Sequence, residues 1–168
     1  YLVAERASPE QLALLEGSVT LRPEMTVPAS PPWTFHCAEQ RPEPPEPLAV
    51  WENGLGLLGA EIPGNLEPST ELRLMTTWHY RATSRQEYHF FNHLMKGEVL
   101  VSQIDGEGLP TRYWRDNDVF ITYFALPEPD PLPPGEYELR VGTYSWPTIV
   151  RVPLVDGRDA VTIARWIR

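Results

Sequence analysis

His89 and His93 stand four residues apart, and on a helix that spacing would bring both imidazoles to one face, where they could share a zinc ion. The residues around them, Tyr88-His89-Phe90-Phe91-Asn92-His93-Leu94, are aromatic and read instead as a strand, in which four residues span about 13 Å. Two rings that far apart cannot chelate one ion. His93 is therefore expected to pack or hydrogen-bond beside Phe91, and no metal site is predicted.

Carboxylates recur as Asp105/Glu107, Asp116/Asp118, Glu128/Asp130 and Asp156/Asp159. A glycosidase needs two acids facing each other across roughly 5–10 Å. All four pairs fall in turn-like segments, where acidic side chains bond the local backbone and solvate well. The expectation is turn chemistry, with a calcium-binding loop kept open because oxygen ligands from turns suit that ion. Nucleophile signatures are missing. There is no GxSxG, and Cys37 has only the adjacent His36 beside it, which does not make a dyad. Gly54-Leu55-Gly56 and Gly106-Glu107-Gly108 lack both a third glycine and a following helix, so phosphate cradling has no support. No catalytic residue and no cofactor are expected.

The aromatics remain. Trp51, Trp78, Trp114, Tyr144, Trp146 and Trp166 are candidates for ring stacking on a sugar, which suits an all-β module. Trp78 falls on the apolar face of its segment and is expected in the core. Trp114 and Trp146 flank predicted turns, where core packing, loop anchoring and ligand stacking all stay open. With Tyr144 they make up the expected ligand-binding set.

The elements that must position these residues follow from texture. At 168 residues, 42% hydrophobic and 11% aromatic, the chain is long enough for one packed core plus a tail. Nineteen prolines disfavour a helical bundle, because proline removes a backbone donor and fixes φ. A net charge of −9 and a pI near 4.9 would repel a phosphate backbone, so nucleic acid is excluded as a partner. The lone Cys37 cannot form an intramolecular disulfide. The longest apolar runs, such as Val119 to Leu126, fall short of the ~20 residues that span a bilayer, so no membrane insertion is expected of this segment. The chain opens on Tyr1 rather than Met, with no signal peptide before it, and is read as a fragment of something longer.

Two regions are expected. Residues 1–47 hold a short helix, with Ser8 as N-cap, Pro9 first and Gln11 completing a capping box, ending near Gly17. A proline-rich strap with polyproline II character then runs from Pro23 to Pro47. Residues 48–168 are short alternating runs separated by turns, the pattern of an antiparallel two-sheet sandwich, immunoglobulin-like or jelly-roll-like. The runs are Leu48–Trp51, Leu55–Ile62, Glu71–Tyr80, Glu87–Met95, Glu98–Ile104, Asp118–Leu126, Tyr137–Tyr144, Thr148–Leu154 and Ala160–Ile167. Leu72, Leu74, Thr76, Trp78 and Tyr80 share one face of the third. Lys96-Gly97 and Val155-Asp156-Gly157-Arg158 supply tight turns.

Leu57-Leu58-Gly59, Leu72 to Trp78, Tyr88 to Leu94, Gln103-Ile104-Asp105-Gly106, Pro110-Thr111 with Trp114, and above all Leu132-Pro133-Pro134-Gly135-Glu136-Tyr137-Glu138-Leu139-Arg140-Val141-Gly142-Thr143-Tyr144 carry a resemblance. From about Leu48 to Ile167 the chain resembles a carboxy-terminal domain of bacterial membrane glycosyltransferases of the dolichyl-phosphate-mannose mannosyltransferase type and of related uncharacterised membrane proteins. It departs from that pattern in a shorter hairpin at Lys96-Gly97 and in Asp116-Asn117 where a Pro-Gly turn is usual. The resemblance implies a β-sandwich on the extracytoplasmic face of a bacterial membrane, periplasmic or cell-surface, and transfers no site residues. Expected partners are a glycan or lipid-linked sugar, or other parts of a membrane-anchored parent. The expected function is a non-catalytic accessory or interaction domain, with a carbohydrate-binding module as the alternative.

Overall fold

A computed structural model gives the structure of the chain. It describes residues 2–3, 19–27, 33–40, 44–62, 71–82, 86–127 and 132–168, with side chains from residue 44 onward. The expected helix near Ser8 lies outside the described residues. Of the expected strap, residues 23–27 and 33–40 are paired strand, residues 44–47 carry no regular structure, and the rest lies outside the described residues. Strands β2 (Val19–Val27) and β3 (Trp33–Gln40) form an antiparallel hairpin, and β1 (Leu2–Val3) lies on the other edge of β3. The register slips between Pro23 and Met25, where proline has no N–H to give to a ladder. Proline composition alone does not forbid a strand if the prolines sit at its irregularities and ends.

From residue 48 the alternating runs become two antiparallel sheets. One holds β4 (Ala49–Val50), β5 (Leu55–Glu61), β6 (Glu71–Tyr80) and β9 (Val119–Pro127) in the order β4-β5-β6-β9. The other holds β8 (Val99–Gly106), β7 (Glu87–Lys96) and β10 (Glu136–Trp146), with β11 (Val150–Arg151) and β12 (Val161–Ile167) sharing the far edge of β10. The chain passes from β6 to the second sheet, returns for β9, and crosses again for β10. A single 3-10 turn at Thr111–Tyr113 interrupts the β8–β9 connection. Among the described residues no helix is long and apolar enough to cross a membrane.

Period two decides the interior. Leu72, Leu74, Trp78 and Tyr80 of β6, Phe120, Phe124 and Leu126 of β9, Tyr88, Phe90 and Leu94 of β7, and Tyr137, Leu139 and Val141 of β10 fill one continuous core. Trp78 lies between the sheets, 5.3 Å edge-on from Trp51 and 5.0 Å from Phe90. Its indole N–H reaches the hydroxyls of Thr76 at 2.8 Å and Thr122 at 3.1 Å, which also bond each other at 2.7 Å. The core therefore carries a polar knot whose donors are satisfied, as a buried polar group requires.

Each long side of the sandwich carries a hydrogen-bonded contact between the two sheets. Ser102 of β8 donates to the Pro127 carbonyl of β9 at 2.5 Å. On the other side Trp51 bridges to Leu154, flanked by bonds from Glu52 to Pro153 and from Val155 to Val50. Before β10, the Tyr137 hydroxyl donates to the carbonyl of Pro133, so the chain entering that strand is pinned to its own upstream turn. Of the run Thr148–Leu154, expected as a strand, Val150–Arg151 pairs with β10 and Leu154 bridges to Trp51, while Thr148 and Ile149 belong to the turn after β10. Ile149, at φ 56°, lies in the left-handed region within that turn. Replacing Trp78 with Ala should cost about 3–5 kcal/mol of stability in a denaturant titration; a loss under ~1 kcal/mol, typical of surface sites, would contradict its place between the sheets.

Candidate functional site

Strands are expected to turn polar side chains outward, yet the outer face of the five-stranded sheet is built on aromatics. Outward from β7 come His89, Phe91 and His93; opposite them on β10 stand Tyr144, Gly142 and Arg140. Phe91 points away from the sandwich core but is only 2% exposed. Gly142 makes this possible. A Cβ at that position would fall inside the ring of Phe91 and 2.8 Å from the Asp159 carbonyl oxygen. The ring lies over the glycine, and the Arg151 guanidinium caps it at 4.6 Å from the centroid, a cation–π contact. Arg151 is fixed in turn by Asp159, Nη1 to Oδ2 at 2.5 Å.

Two flanks extend this centre. Towards β8, the His93 ring sits 4.8 Å from Phe91 and its Nε2 is 3.6 Å from Asp105. Burial pushes His93 below its ordinary 6.5; the Asp105 carboxylate opposes this and the Arg151 guanidinium adds to it. Towards the β10–β11 turn, His89 lies 5.7 Å from Tyr144 and stacks on Trp146 at 4.6 Å with only 10° between planes. Burial, and then the Asp105 carboxylate, raise the Tyr144 hydroxyl above its usual 10.0. Gln86 donates to the Trp146 carbonyl at 2.9 Å. The indole is thus held at both its backbone and one ring face.

Of the expected ligand set, Tyr144 and Trp146 come together on this face. Trp114 does not; of the fates left open for it, the structure shows core packing. It is 8% exposed, packs against Tyr80 at 5.1 Å and Phe120 at 4.9 Å, and gives its N–H to the Leu109 carbonyl. The turn beside it is closed by the indole itself, so the ring goes inward. Sequence reasoning missed His89, Arg151, Asp159 and Gly142 as members of the face. The i, i+2 alternation of His89, Phe91 and His93 could have found the first; the others depend on register and on a long connection.

The acidic pairs resolve locally. Asp156 binds Arg158 at 2.6 Å and Asp159 binds Arg151; Asp118 accepts the Arg115 N–H at 2.7 Å; Glu107 lies 3.6 Å from Arg112. Glu128 and Asp130 lie outside the described residues. Among the described residues no three His, Cys, Asp or Glu side chains converge to hold a metal ion. His89 and His93 lie in a strand, each with its own neighbours. What the face can do chemically is present a fixed indole, with hydroxyls of Ser145 and Thr148 beside it bonded at 2.7 Å, to a flat apolar or ring-shaped partner. Compared with models of protein families and with curated proteins, the sequence finds no match.

Gly142→Ala should disrupt the Phe91 ring, costing about 1–3 kcal/mol as overpacking does, with a changed near-ultraviolet spectrum; an unchanged spectrum and stability would remove Phe91 from this position. His79, buried on β6, is like His93 held below 6.5, by burial first and then by Arg81, against Asn117 and Asp116. Below pH 6.5 the unfolded chain takes up protons that the folded chain resists. Stability should be full above that pH and decline as pH falls through each lowered native value, and the slope should shrink in the His93→Gln variant. A flat profile in the parent chain between neutral and mildly acidic pH contradicts the burial of both rings.

Proposed function

We propose that the chain is a non-catalytic interaction module of a longer membrane-anchored, glycosyltransferase-like protein, working on the extracytoplasmic face of a bacterial membrane. Its strand order supports an immunoglobulin-like reading. In that reading β4-β5-β6-β9 corresponds to the A-B-E side and β8, β7, β10 and β12 to the C′-C-F-G side, and the Tyr137 hydroxyl bonded upstream is the corner that precedes strand F. Modules of this kind present partners with loops at one end of the sandwich.

The observation that carries the proposal is the β10–β11 tip. Trp146, Ile149 and Val150 are 39%, 66% and 61% exposed, in a run from Val141 to Val150 without a charged residue. The same end holds Tyr113, with Arg112 over its ring at 4.8 Å; the neighbouring Thr111 hydroxyl accepts from the Tyr88 N–H. Rigid aromatics ringed by aliphatics and an arginine are the composition of a protein–protein contact. The carbohydrate-binding alternative rests on Trp146 alone with Tyr144 behind it, since Trp114 is in the core.

Two measurements test the reading. Titration calorimetry of the chain with free sugars and polyisoprenyl-linked sugars should give no saturable heat; saturable heat that disappears in Trp146→Ala favours the carbohydrate reading instead. In cells expressing the parent gene, a protease added to spheroplasts should cut within this region. Protection until lysis would overturn the proposed location.

A further inference from the structure

A sheet face turned to water should carry polar, exposed positions. On the outward face of the four-stranded sheet Glu61, Glu71 and Arg73 are exposed at one end, but the rest of the face departs from this rule. Met75 and His79 alternate with the inward residues of β6, yet they are 7% and 1% exposed. Opposite them on β9, Val119, Ile121 and Tyr123 are half-buried, in register with His79, Thr77 and Met75, and Tyr123 has an interaction partner of its own. The Nε2 of His79 has no hydrogen-bond partner among the described residues, which is the state of an atom shut off from water rather than facing it.

What covers the face can be followed along the chain. Pro47 lies on Gly56, which is cross-strand from His79; a Cβ at Gly56 would meet the Pro47 ring at 2.9 Å. The Leu48 N–H then bonds the Leu57 carbonyl at 2.7 Å, so the segment that leads out of β3 enters β4 across this face. At the other side of the sheet, β1 runs beside β9. The two ends of the amino-terminal sheet thus bracket the covered surface.

We infer that the outward face of β5, β6 and β9 is a docking face whose occupant is the chain's own amino-terminal sheet, β1 to β3, delivered by residues 44–48. The sandwich then carries a third layer, and its partner-binding surface is confined to the other sheet and the loop end. The burial of Met75 and His79 follows from that layer, as does an apolar outward set on β9 that would otherwise be an aggregation hazard.

Cys37, the single cysteine, lies in β3 and is a native attachment point for a nitroxide. In the full isotope-labelled chain, the nitroxide should broaden amide signals of β5, β6 and β9 several-fold more than those of β8, independently of protein concentration. Met75→Glu should weaken that pattern while β7 and β10 signals stay in place; where that variant does not fold, Ile121→Glu, at the half-buried rim, replaces it. Equal broadening of both sheets would mean a tethered but undocked segment and overturn the inference. Broadening that appears only when labelled and isotope-enriched chains are mixed would assign the face to a second copy, and overturn it as well.

Discussion

Everything described from residue 48 onward depends on how the indole of Trp78 is held. It is large enough to touch both sheets, meeting Trp51 on its own side and Phe90 on the other, but its N–H brings a donor into an apolar interior. Left unpaired, that donor would cost roughly 1–3 kcal/mol. Thr76 and Thr122, cross-strand partners on β6 and β9, supply the acceptors and bond each other. One contact set therefore fixes the register of β6 against β9 and the distance between the sheets. Two-sheet packing without such a fixed point would leave the facing surfaces free to slide.

The two outer faces of this frame are not equivalent. On the five-stranded sheet, Phe91 is buried from outside by Arg151 and Asp159, which belong to the β11–β12 region, and the aromatic row ends at the solvent-facing Trp146. On the four-stranded sheet, burial reaches Met75 and His79, and His79 meets Asn117, Asp116 and Arg81 at the end of its strand. One face is sealed by its own loop and open at its tip, the other lies under a layer. In the proposed reading, that asymmetry directs recognition to the β10–β11 end, where exposed aliphatics and a fixed indole coincide.

Strands were legible where a run alternated between water and core. Leu72 to Tyr80 reads inward and outward without ambiguity, and β6 occupies those residues; the Lys96-Gly97 hairpin likewise follows from glycine in a short turn, with Gly97 at φ 58°. The register that assembles the outer face was not legible, because Gly142 and Arg151 come to Phe91 through pairings that alternation does not reveal, Gly142 with Phe91 and Tyr144 with Arg151. The choice between core and surface for Trp114 was not legible, because a flanking turn says nothing of where its indole goes; the N–H closes that turn from within. The start of the strand expected over Thr148–Leu154 was placed too early, because β-branched residues outweighed the left-handed Ile149 of the turn. The hairpin at Val19–Gln40 was hidden by prolines, which a ladder accommodates at a register slip.

The most direct test is a double-mutant cycle between Trp78→Phe and Thr122→Val, read by chemical denaturation. Trp78→Phe keeps an aromatic ring and removes the donor; Thr122→Val keeps the shape and removes an acceptor. If the indole N–H and its paired hydroxyls lock the sheets, the two changes should be coupled by about 1 kcal/mol or more, with Thr122→Val nearly harmless once the indole is gone. Costs that add to within ~0.3–0.5 kcal/mol would show that the ring packs without that lock, and the register of β6 against β9 would then need another cause.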